Sequence, residues 1–181
     1  YKLGDFARTM RGIATGDNSY FLMTYKRAKD FGIPDEFLVR VVGKTRDVPD
    51  EEITEELLET LDYKGVPTYL FSPDKRSLVD FPEAVKNYLK RGVELGLDKR
   101  PLIAQRNPWY KMETRAIPPF LFAYLGRRNA RFIKNTAGVL PLTGFLCVYP
   151  FNPSQQYIDK LWNILQNPTV ISNLALVGKS Y

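Results

Sequence analysis

Apolar residues recur at helical spacing in three stretches of the chain. In "DEEITEELLETLD", residues 50–62, Ile53, Leu57, Leu58 and Leu61 line one face and every acid falls elsewhere, which predicts an amphipathic helix with its acids in water. A second helix is predicted after "DFPE", with Asp80 as cap, Pro82 in the first turn, Glu83 completing a capping box and Val85, Tyr88 and Leu89 as the inward stripe. Gly92 and Gly96 weaken its end. A third begins at "NPSQ", with Asn152 as cap and Pro153 in the first helical position. Ile158, Leu161, Trp162 and Leu165 form its buried stripe, and Asn167 and Pro168 stop it. The stretch "TVISNLAL" is a candidate for one more short helix. Elsewhere the pattern changes to short runs rich in aromatic and branched residues, bounded by Gly, Pro, Asn or Asp: "YFLMTY", "FLVRVVG", "TYLFS", "PFLFAYLG", "ARFIKN" and "TGFLCVYP". These read as strands. "TGDN" reads as a turn joining two of them.

Strands and helices in this order predict an α+β fold: a mixed, largely antiparallel sheet or sheets with about three or four helices. Their spacing is too irregular for repeating βαβ units. The 181 residues, 44% of them hydrophobic, can bury the core of one large domain or two small lobes, and "LDKRPLIAQRN" at 97–107 is the candidate boundary. No internal repeat or low-complexity segment is present. No apolar run is long enough for a membrane helix and no signal-peptide pattern opens the chain, so a soluble, cytoplasmic protein without a membrane partner is expected. The start at Tyr1, without Met, is expected of a fragment.

Composition narrows the chemistry. The chain has no His, which removes the commonest general base and the Ser-His and Cys-His nucleophile pairs. A single cysteine, Cys147, excludes an internal disulfide and a cysteine-rich zinc site, and its place in "GFLCVYP" predicts a buried strand residue. Carboxylates, lysines and tyrosines remain. "GKS" at 178–180 lacks the Gly that a phosphate-binding loop needs five residues before Gly178, where Asn173 stands. "RGIATG" lacks the G-x-G start of a dinucleotide site. Neither motif holds, and no catalytic, metal or cofactor site is assigned.

Charge carries more. The chain has 26 Lys and Arg against 20 Asp and Glu, but residues 50–62 hold 7 of the acids and no base, so the remainder is strongly basic. "GRRNARFIK", residues 126–134, holds Arg127, Arg128, Arg131 and Lys134 without an acid, and "RNPWYKMETR" adds Arg106, Lys111 and Arg115 around two aromatics. Such clusters match phosphate contacts, the alternative being a solvated face.

The tetrapeptide "NPWY", residues 107–110, is similar to the active-site motif of enzymes that methylate the adenine amino group, except that Trp109 replaces the second Pro. A wider pattern gives it another meaning. "RGIATGDNSYFLM", then "FLVRVVGKTRDV", then "RNPWYKMETR", and finally "RFIKNTAGVLPLTGFLCVYP" before a helix together resemble, over most of the chain, the target-recognition region of adenine-specific DNA methyltransferases, including type II and IIG enzymes fused to a nuclease. The glycine-rich S-adenosylmethionine loop that should precede a catalytic tetrapeptide is missing. The likeness of "NPWY" to the catalytic motif is therefore taken as accidental, and Trp109 and Tyr110 are expected to pack in the core more than to stack on bases.

The resemblance implies that a methyltransferase domain of the same parent chain, N-terminal to residue 1, supplies S-adenosylmethionine binding and methyl transfer, while this chain holds double-stranded DNA and reads a short sequence. The expected DNA contacts are Arg46, Lys111, Arg115, Arg127, Arg128, Arg131 and Lys134; Arg11 and Asn18 fix the first turn or touch phosphate. Glycines often follow a Tyr like Tyr181 in that family, so its far edge is expected to be absent. The rival class is a non-catalytic protein-interaction module that uses the acidic helix or the aromatic surface.

Overall fold

The computed structural model describes residues 2–124 and 130–177. Its elements in chain order are β1 (Ala7–Arg11), α1 (Asn18–Phe21), β2 (Leu22–Met23), α2 (Tyr25–Asp30), β3 (Leu38–Val42), α3 (Glu55–Tyr63), β4 (Tyr69–Phe71), α4 (Glu83–Glu94), α5 (Pro101–Ala104), β5 (Phe120–Ala123), β6 (Arg131–Lys134), β7 (Leu140–Pro141), β8 (Phe145–Pro150), α6 (Gln155–Leu165) and α7 (Pro168–Val177). The fold is α+β, as the patterning predicts. Two compact units divide the chain: Tyr1–Gly12, Val42–Leu58 and Ala116–Tyr181 form the first, and Ile13–Val41 and Glu59–Arg115 the second.

The first unit is built on an antiparallel sheet in the order β1, β8, β5, β6. Residues paired across it share a face, so the register puts Ala7, Val148, Phe120 and Phe132 on one side. There they meet Leu161 and Leu165 of α6, and Trp162 stacks on Phe120 with ring centroids 5.3 Å apart. Burying each such large side chain contributes about 1.5–3 kcal/mol. The other face carries Leu121, Ile133, Phe145 and Cys147, all buried. The turn after β6 is pinned by Asn135, whose buried amide donates to the Pro118 and Val139 carbonyls at 2.8 Å and accepts the Val139 N–H.

In the second unit β4 lies between β2 and β3, antiparallel to both. Its core is aromatic. Tyr20 and Tyr88 stack at 4.5 Å, and each hydroxyl donates to the other residue's backbone carbonyl, at 2.8 and 2.6 Å. Phe71 meets Tyr88 edge-on and Phe21 face-on. Every buried polar group of the tyrosine pair is thus satisfied within the core, which is the condition for burying it.

Helix starts and one strand differ from expectation. Residues 50–54 are not helical: the Ile53 N–H and the Lys134 carbonyl bond across a parallel bridge, and α3 starts only after Thr54, whose hydroxyl accepts the Leu57 N–H. Helix α4 starts at Glu83 after Pro82, with no side-chain cap, so Asp80 lies in the preceding 3-10 turn. Ser154, rather than Asn152, caps α6 by accepting the Tyr157 N–H, while Asn152 accepts from Ser154 and tightens the approach. "TGDN" does not join strands. Gly16 takes φ +83° and Asp17 caps α1, so Tyr20 and Phe21 of the expected strand are helical and only Leu22 and Met23 pair. A side-chain cap three residues from an apolar run outweighed the β-propensity of that run.

Candidate nucleic-acid interface

The strand register of the first unit brings two arginines to one end of the sheet. Arg11, last in β1, pairs with Leu146, and the next amide, Gly12, donates to the Phe145 carbonyl. Phe145 pairs with Ala123, and Ala123 with Arg131. Arg11 and Arg131 therefore mark the same sheet end, on its two edge strands and opposite faces. The segment after β3 lies against it: a methyl built on Gly144 would stand 3.7 Å from the Gly43 carbonyl oxygen and from Thr45. Arg46 sits there, exposed, in the 3-10 turn Thr45–Asp47. The Arg131 guanidinium donates to the Val48 carbonyl, and Tyr124, partly exposed, donates to the Thr143 carbonyl at 3.1 Å.

Sequence reading missed Lys44, because one lysine among isolated charges gives no signal until the 43–48 segment is placed. Lys44 and Arg46 are exposed and have no carboxylate within ion-pair distance among the described residues. The sheet end thus carries Arg11, Lys44, Arg46 and Arg131 against Asp47. Exposed cations such as Lys44 and Arg46, without a carboxylate partner among the described residues, concentrate polyanions and position a phosphate backbone.

Other expected contacts lie elsewhere. Lys134 ends β6 at the opposite end of the sheet, its backbone between Glu51 and Ile53, where Thr136 donates to Glu52 at 2.5 Å. Arg115, its side chain 13% exposed, is held in the second unit by Glu113 at 3.0 Å. Asn18 accepts the Thr15 hydroxyl at 2.5 Å, and Lys111 is exposed. Arg127 and Arg128 lie outside the described residues.

"NPWY" is part of the packing of the second unit. Tyr110 is buried and donates to the Arg76 carbonyl at 2.6 Å. Trp109 is half-buried, and a methyl on Gly92 of α4 would stand 2.6 Å from its ring. The tyrosine hydroxyl is held by burial above its usual value. Among the described residues no group of His, Cys, Asp and Glu is placed to hold a metal ion, and no helix is long and apolar enough to cross a membrane.

The model of the C-terminal domain of the type II methyltransferase M.Eco57I matches residues 1–181. The type II methyltransferase M.AccI of Acinetobacter calcoaceticus is 30% identical over 143 residues, which cover 79% of this chain and 26% of that protein. The aligned part of this chain thus spans about a quarter of the length of that relative. The full-length match places the chain in the family of M.Eco57I C-terminal domains, which belong to restriction-modification methyltransferases.

Proposed function

We propose that this chain is the DNA target-recognition part of an adenine-specific methyltransferase of a restriction-modification system. It holds double-stranded DNA against the methyltransferase domain of the same parent chain and reads a short sequence, while S-adenosylmethionine binding and methyl transfer belong to that domain. The observation that carries this reading is the convergence of Arg11, Lys44, Arg46 and Arg131, from three separate parts of the chain, on one sheet end. Lys44 and Arg46, exposed and without carboxylate partners among the described residues, have little to do for the fold. Around a polyanion each releases counterions.

Fluorescence anisotropy with a labelled duplex at several salt concentrations tests the reading. The chain binds with strong salt dependence, and replacing Lys44 and Arg46 together with Gln flattens log K against log salt by up to about 2 units. Replacing Glu55 and Glu56 with Gln does not flatten it. Absence of salt-sensitive binding would refute the proposal and favour the protein-interaction module, whose feature is the exposed acidic face of α3.

A further inference from the structure

The start of α1, where Asp17 caps the helix and Asn18 opens it, is surrounded by arginines that are far apart in sequence. In the second unit, Arg27 of α2 donates to the Ser19 carbonyl at 2.9 Å, and Arg100 binds the Asp17 carboxylate. Arg91 of α4 lies with its guanidinium 5.6 Å from the centroid of Phe31, whose ring Arg27 also approaches, at 5.8 Å. Both arginines act on the Tyr88 hydroxyl, which burial raises and their charges partly lower. Helices α2 and α4 and the residue before α5 therefore bring three guanidiniums to one neighbourhood.

Their charge is largely uncompensated. Asp17 answers Arg100. Arg27 and Arg91 have no carboxylate within ion-pair distance among the described residues, although Asp30 and Glu94 lie three residues further along the same helices. Asp30 is taken by Lys26 at 2.8 Å. The Arg91 side chain makes no hydrogen bond among the described residues, so its five donors are open. An aromatic face holds a guanidinium flat while leaving its N–H edge available, the arrangement suited to phosphate oxygens. Two like charges beside one ring repel, and a bound anion relieves that repulsion.

We propose that Arg27 and Arg91, supported by Arg100 around the start of α1, form a second phosphate-contacting surface, on the second unit, that takes the sugar-phosphate backbone of duplex DNA. This rests on the DNA-binding reading above and extends it to residues that the sequence did not single out. Arg91 and Arg27 contact phosphate; Arg100 neutralises Asp17 so that its carboxylate does not repel the strand.

The test compares Arg91→Gln, Arg27→Gln with Arg91→Gln, Arg91→Lys, and the Lys44→Gln, Arg46→Gln pair in the full chain, titrated against one labelled duplex over a range of salt. Arg91→Gln lowers the slope of log K against log salt by about 1, the double variant lowers it by about 2, and Arg91→Lys keeps it. Arg91→Gln is decisive where the double variant folds poorly, since no hydrogen bond among the described residues is lost with it. Slopes that fall for the Lys44 and Arg46 pair and stay unchanged for Arg91→Gln would overturn this surface alone. No duplex binding by the unsubstituted chain would overturn both proposals.

Discussion

A methyl group at Gly12 would stand 2.1 Å from the Leu142 carbonyl oxygen and 2.5 Å from its carbon, both backbone atoms with nowhere to go. Gly12 is therefore required by close approach of two chain segments, a reason separate from any turn. The "RG" pair was visible in sequence, but what it touches was not, because Leu142 is remote along the chain. Gly12→Ala should cost at least about 1–3 kcal/mol in urea unfolding, the usual range for overpacking, whereas Gly4→Ala, with nothing within 4 Å, should be close to neutral. Equal midpoints for the two variants would contradict this account. The same logic applies to Gly92: the sequence read it as a weak point of a helix, and the structure uses its missing side chain to seat Trp109 and the Tyr20 hydroxyl. At Arg115 and Lys134 residue type says nothing of surroundings: the one pairs with Glu113, and the backbone of the other lies between Glu51 and Ile53.

Among elements, the long amphipathic helices were legible because periodicity records which face is buried. Val85, Tyr88, Leu89, Leu161 and Leu165 are all buried, as their spacing predicts. The starts were less legible, because several residues in each approach could cap. Asp17 is the cap that sequence reading assigned to a turn. Burial works to raise its carboxyl, yet the Ser19 hydroxyl, Arg100 and the Tyr20 and Ser19 amides outweigh it and hold the group below its usual value. A carboxyl whose pKa is depressed by folding contributes stability above its unfolded value, and that contribution is lost as pH falls through the lower folded value. Asp17→Ala should therefore cost about 1–2 kcal/mol at neutral pH. The difference from the unsubstituted chain should shrink from about pH 4 downward in thermal melts, as the carboxyl protonates. A difference that stays constant through that range would show that the charge of Asp17 does not contribute.

At the scale of the whole chain, sequence reading recovered the α+β class and the relation to restriction-modification methyltransferases, since both rest on the order of several weak signals over most of the length. The surface was harder to read. A count of charges shows that the chain is basic, but strand register decides that Arg11 and Arg131 share an end and that Lys134 does not. Arg27, Arg91 and Arg100 gave no local cluster at all. The division of labour proposed here has a calorimetric consequence: titration of S-adenosylmethionine into the purified chain should give no saturable heat, and micromolar binding would return "NPWY" to consideration as a catalytic motif. The central claim is that this chain reads DNA sequence, and selection of bound duplexes from a pool with a randomised core tests it most directly. Successive rounds of binding to the purified chain at moderate salt, followed by sequencing, should converge on one short motif, with convergence weakened in the Lys44→Gln, Arg46→Gln pair. A bound pool as random as the input, whatever its affinity, would contradict target recognition by this chain.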